Sequence, residues 1–277
     1  MFNKRSSIAN ALITVLFFVV LLSLNYAFKN SYYWLRWQGY DVATTFLCEY
    51  SCNTCFIKQP INTLSNILYL FFALQLFNFT RYDYLNYHTN KSNLLKANFQ
   101  YSMFFCFAMS LLFIVSTVFH ASMLQVFLRF DMLGVYTSLF IPFFFTIHKF
   151  LNLFYYNNKP LYSPLISISF LLVMLASIMF CSYYFWNLAS YYIGSLLLLL
   201  IFLSTFYFNK YYVVSYSKTA ILTSTLLGIF SLSCYQFDYL LCNELSYFQL
   251  HSIWHVGSAV ALYFFYLFLR SEKCIVF

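Results

Sequence analysis

"QYSMFFCFAMSLLFIVSTVFHASMLQVFLRFDMLGVYTSLFIPFFFTI", residues 100–147, holds two apolar runs, 100–120 and 123–147, with almost nothing between them. Each is long enough to cross a hydrocarbon core, which takes roughly 17–25 helical residues. So short a join makes the two spans antiparallel neighbours. Within this stretch the charged and imidazole side chains are His120, Arg129 and Asp131. Ionisable groups at membrane depth are expensive and mark function by default.

The rest of the chain repeats the pattern. The 277 residues are 62% hydrophobic and 25% aromatic with 8% charged, and they include five Gly and four Pro, a composition no ordinary soluble domain matches. Further apolar runs lie near 9–28, 62–80, 163–184, 188–208, 219–241 and 249–269, which makes eight spans in all. The expected fold is therefore an all-α polytopic membrane helix bundle, with one N-terminal span standing apart from a core of seven. Its parts are an N-terminal anchor at 1–28, an outer loop at 29–61, the core at 62–270 and a short tail at 271–277. The abundance of Phe and Tyr is structural, because aromatic rings fill lipid-facing and interfacial positions.

Lys and Arg set the orientation. With the N-terminus cytoplasmic, 11 of the 15 basic residues fall on the cytoplasmic side, Lys29, Arg36 and Lys58 fall outside, and Arg129 sits within a span. That is a positive-inside distribution with both termini cytoplasmic. The net charge of +8 is thus a topology signal. Spread over short loops, it forms no clustered basic face, which excludes nucleic-acid binding. The first apolar run follows a basic segment, as in a signal peptide, but its length and the lack of a small-x-small cleavage site favour a retained anchor. The outer loop carries Cys48, Cys52 and Cys55, and Cys242 ends the seventh run on the same side. Two disulfides are compatible with that placement in an oxidising compartment. Cys106, Cys181 and Cys234 fall in spans as small apolar residues.

Polar residues gather at one depth. Ser116 and His120 are four apart on one helix and share a face. His251 and His255 repeat the spacing near the start of the last span, an i, i+4 pair suited to gripping a metal. The third span ends at His120, the fourth begins near Asp131 and the last begins near His251, so all five residues lie in the outer half of the bilayer. Three histidines with an open fourth position are the ligand set of a catalytic zinc. His88 and His148 sit by cytoplasmic loops and stand apart from the group.

"CEY" at 48–50, "NTLSN" at 62–66, Ser-x3-His followed by Asp131, "DYLLC" at 238–242 and "QLHSIWH" at 249–255 together resemble the signature of the alkaline ceramidases. That family belongs to a superfamily of seven-helix intramembrane hydrolases that also holds the progestin and adiponectin receptors. The resemblance runs in motif order over about residues 46 to 270. It implies zinc on His120, His251 and His255, with Ser116 as an oxyanion donor and Asp131 handling the proton bound for the leaving amine. It also implies a disulfide between Cys48 and Cys242. In the family, acidic and amide residues around the "CE" pair are associated with calcium. Here Phe46, Leu47, Ser51 and Gln59 occupy those places and only Glu49 is kept. A calcium site wants several oxygen ligands with carboxylates among them, so Glu49 is left with a calcium or a structural role and the substitutions around it argue against calcium.

The expected activity is that of a zinc-dependent amidohydrolase cleaving the N-acyl amide of ceramide or a related lipid, with the bilayer as the substrate's reservoir. A receptor or sensor of the same superfamily with a structural zinc is the first alternative. A transporter or proton relay is the second, and it predicts half-helices broken by paired Gly or Pro, which this chain lacks.

Overall fold

In the computed structural model the described residues are 4–29, 33–36, 47–86, 93–155, 164–184, 189–244 and 246–274. His88 and Phe46 lie outside them. The long helices are α1 (Lys4–Ala27), α3 (Ile67–Leu85), α5 (Phe99–Ser122), α6 (Gln125–Tyr155), α7 (Pro164–Tyr184), α8 (Ala189–Tyr212), α9 (Lys218–Phe237) and α10 (Leu250–Ser271). Two short helices, α2 (Pro60–Ser65) and α4 (Leu94–Ala97), precede α3 and α5. Among the described residues seven segments are long and apolar enough to cross a membrane, with α2 and α3 acting as one span over Pro60–Leu85. α7 is the expected fourth core span, and its described side chains include the apolar stretch Leu172–Cys181. The chain is an all-α polytopic membrane bundle.

Exposed Leu, Phe, Ile and Val cover α1, α8 and α9, as lipid-facing surfaces require. The buried core instead joins α3, α5, α6 and α10 through Tyr69, Leu76, Phe105, Phe113, Tyr136, Phe145 and Tyr266. Two close approaches bring the site-bearing helices together. A Cβ on Gly134 would stand 3.1 Å from Leu112 Cα, so the missing side chain lets α6 lie against α5. A Cβ on Gly257 would run into the Ser231 hydroxyl, so at the α9–α10 crossing the Ser231 side chain would have to turn aside for any larger residue.

The α5–α6 corner is tight because Met123 adopts the left-handed conformation (φ 54°) as the C-cap of α5. That geometry ends the helix with the Met123 amide donating to the Phe119 carbonyl. α6 starts two residues later, so His120 and Asp131 sit at the same end of adjacent helices.

The opposite end is fastened by polar pairs. Arg270 donates two hydrogen bonds to the Asp83 carboxylate and packs over the Phe79 ring. Lys149 is fully buried, and its ammonium donates to both oxygens of Glu272 at 2.8 and 2.7 Å. Asn93 donates to the Leu269 and Glu272 carbonyls at 2.9 and 2.7 Å. A two-stranded antiparallel ribbon, β1 (Val213–Ser215) with β2 (Lys273–Cys274), ties the end of α8 to the chain beyond α10.

Candidate metal centre

His120 on α5 and His251 and His255 on α10 meet in the bundle interior, all three buried. Their ring centroids are 5.0, 4.9 and 4.6 Å apart, and one ligand nitrogen from each lies within 4.8 Å of the others. These are the three residues that spacing and depth single out in the sequence. The i, i+4 spacing puts His251 and His255 on one face of α10, and the α5 C-terminus delivers His120 across from them.

Hydrogen bonds fix two of the rings. Gln59 donates from Nε2 to the Glu49 carbonyl at 2.9 Å, so its Oε1 faces His120 Nδ1, also at 2.9 Å. An amide oxygen accepts only, so Nδ1 carries the proton and His120 Nε2 keeps its lone pair. His255 Nδ1 stands 3.1 Å from the Asn62 carbonyl and 2.8 Å from Ser65 Oγ, whose own proton goes to the Asn62 carbonyl at 2.8 Å. His255 therefore also turns an unprotonated Nε2 away from its anchors. His120 Nε2 and His251 Nδ1 are buried with no hydrogen-bond partner among the described residues. Buried polar atoms are nearly always satisfied, and those left over call for an ion or water.

The donor set fits a metal ion. Neutral imidazoles with second nitrogens held by carbonyl or hydroxyl groups are the usual form of a metal-ligating histidine. A nitrogen–zinc distance near 2.0–2.1 Å puts tetrahedral ligands about 3.4 Å apart, so modest side-chain rotation closes the set. The three residues would leave a fourth position open.

Glu49 has a definite task. Its two carboxylate oxygens accept the Ile61 and Asn62 amides at 2.7 and 2.8 Å. These are among the first amides of α2, which begins at Pro60 and has no side-chain cap of its own. The carboxylate supplies the cap from a distance and suits the positive end of the helix. Burial holds the Glu49 carboxyl up at about 7, with the Asp238 charge adding to the effect. Asp238, beyond the end of α9, does the same for α10: it accepts the His251 amide at 3.0 Å and the Cys48 amide at 3.1 Å. Burial raises its carboxyl as well. One acid thus sets the helix that anchors His255 through Asn62 and Ser65, and the other sets the helix that carries His251.

Cys48 and Cys242 are joined by a disulfide, and Cys52 pairs with Cys55. Cys106, Cys181 and Cys234 remain thiols in the spans.

Ser116 and Asp131 are both buried, and Asp131 Oδ1 has no hydrogen-bond partner among the described residues. Ser116 stands one turn before His120 on the same face. Tyr69 packs beside the cluster: its ring lies edge-on to His255 at 6.4 Å and its hydroxyl meets Ser258 Oγ at 2.6 Å. His148 lies elsewhere, against Tyr101 with ring centroids 5.2 Å apart.

Sequence reasoning missed Gln59, Asn62, Ser65, Tyr69 and Asp238 as parts of the site. "NTLSN" and "DYLLC" hold three of them and were visible as motifs. Their tasks depend on which carbonyl or amide they meet, which spacing does not reveal. No protein-family model matches the chain, and no curated protein matches it.

Proposed function

We propose that the chain is a zinc-dependent intramembrane amidohydrolase that cleaves the N-acyl amide of ceramide or a related lipid. The observation that carries this reading is a buried three-histidine cluster with unpartnered nitrogens, with Ser116 buried one helical turn before His120 and the buried Asp131 carboxylate keeping an unpartnered oxygen among the described residues. His120, His251 and His255 would hold the metal. Zinc held there supplies Lewis acidity toward an acyl carbonyl and activates water at neutral pH.

The chain's own residues do the rest. The Ser116 hydroxyl donates to the carbonyl oxygen as it gains charge. The Asp131 carboxylate takes a proton from the attacking water and returns it to the departing amine. Gln59, Asn62 and Ser65 hold two imidazoles in the tautomer that binds metal. The bilayer delivers substrate directly: α9 packs on α10 and α8 on α6, whereas α8 and α9 hardly touch among the described residues. With the N-terminus cytoplasmic, as the basic residues indicate, the site opens in the outer half of the membrane.

The test is a hydrolysis screen of the purified protein across ceramides, acyl-ethanolamines and lysolipids, with release of fatty acid as the readout. Asp131→Asn should keep its metal and lose about 10²–10⁴-fold in turnover, and Ser116→Ala about 10²–10³-fold. Wild-type turnover in both variants overturns the roles given to Ser116 and Asp131, and a wild-type protein that hydrolyses none of these lipids overturns the enzyme reading. A ligand-induced conformational change without turnover points instead to a receptor.

A further inference from the structure

α1 is the helix outside the seven-span core, yet the outer end of α1 reaches the segment that holds His120. Asn25 Oδ1 accepts the Ile57 amide at 3.0 Å. Leu21 packs with Ile57 and Ala121, and Trp34, Phe56 and Leu64 close around them. Trp34 Nε1 donates to the Phe56 carbonyl at 2.6 Å, and the Trp34 and Phe56 rings stack with centroids 5.7 Å apart. Phe28 adds a further ring contact with Phe56 at 5.4 Å.

The residues that follow cap α5. Lys58 donates its amide to the Ala121 carbonyl at 3.0 Å and Gln59 donates to the His120 carbonyl at 3.2 Å. These are end-of-helix carbonyls that lack partners within α5. Gln59 then turns its side chain onto the His120 ring. Residues 56–59 therefore hold both the backbone and the imidazole of one ligand, and α1 holds residues 56–59.

We infer that α1 is a working part of the metal centre and that Asn25 is a positioning residue for His120, acting through Ile57, Lys58 and Gln59. The inference rests on the metal reading above. Removing the Asn25 acceptor strands the partly buried Ile57 amide and loosens the one segment that fixes both ends of the His120 geometry. Residues that orient a ligand in this indirect way are worth about 10–100-fold in metal affinity.

The full-length protein tests this with Asn25→Leu, which keeps size and removes the acceptor, and Asn25→Asp, which keeps an acceptor. Trp34→Phe serves as a second perturbation from the other side of Phe56. Two readouts are compared: amide hydrogen exchange over residues 57–59 without metal, and the visible spectrum and affinity of bound cobalt(II). Asn25→Leu and Trp34→Phe should speed exchange there and shift the cobalt bands, with affinity weakened about tenfold, and Asn25→Asp should restore both. Unchanged exchange, or faster exchange with an unaltered cobalt spectrum and affinity, overturns the inference. A wild-type protein that takes up no cobalt overturns the metal reading and this inference with it, and the exchange data tell that failure apart from failure of the α1 contact.

Discussion

Gln59 is where a single neutral side chain bears most on the metal centre. Its amide donates to the Glu49 carbonyl at 2.9 Å and accepts from the fully buried His120 Nδ1 at 2.9 Å and from Asn62 Nδ2 at 3.3 Å. Gln59→Leu keeps the volume and removes all three contacts. His120 then has a buried ring N–H with no acceptor, at a cost of about 1–3 kcal/mol. The metal-bound form bears that cost in full, because only the tautomer with a proton on Nδ1 can ligate through Nε2. The metal-free form escapes part of it by moving the proton. At about 1.4 kcal/mol per tenfold, the loss corresponds to roughly 5- to 100-fold weaker zinc binding, in line with the worth of such outer contacts elsewhere. Competition against a chromophoric zinc chelator in detergent measures it. Gln59→Glu, which keeps an acceptor on Nδ1, should bind within about threefold of wild type by the same reasoning. A Gln59→Leu protein with wild-type zinc affinity would refute the assignment of Gln59 as the group that orients His120.

Three more outcomes follow from named contacts. Cys48 and Cys242 close a loop of 194 residues, whereas Cys52 and Cys55 are three apart, so replacing the first pair by Ser should cost about 2–5 kcal/mol and replacing the second much less; equal thermal shifts would contradict this. Glu49 is held at about 7 by burial, while an unfolded Glu titrates near about 4.3. The native carboxyl thus keeps a proton the unfolded chain has lost, so stability should fall as pH rises through that window and level off above it. Glu49→Gln should flatten that part of the profile, and an unchanged slope would refute it. Lys149→Met strands the buried Glu272 carboxylate and should destabilise by about 3–5 kcal/mol, with much of the loss recovered in Lys149→Met/Glu272→Gln; a double variant no better than the single would show the pair is not the cause.

The membrane fold was legible because lipid imposes a coarse rule. Twenty or so apolar residues in a row have few structures open to them, and the runs at 100–120 and 123–147 became α5 and α6 with ends displaced by a few residues. The three histidines were legible for a related reason, since each is costly at its depth and all three share one level. Glu49 illustrates where such reading stops. Its acidity stood out, but its two partners are backbone amides of Ile61 and Asn62, and every residue has an amide. Asp238 was hidden in the same way within "DYLLC". The docking of α1 was harder still to see. Its sequence reads as a plain anchor, and nothing in "LSLNYAF" at 22–28 marks Asn25 as the acceptor for an amide 32 residues further on.

The most direct test is the metal content of the protein itself. Wild type purified without added chelator, together with His120→Ala, His251→Ala and His255→Ala, is assayed for bound metals by elemental analysis against protein concentration. One zinc per chain in the wild type and substoichiometric zinc in each variant is the expected result. Full occupancy in all three variants, or a wild type that binds no zinc when zinc is supplied, would contradict the three-histidine centre.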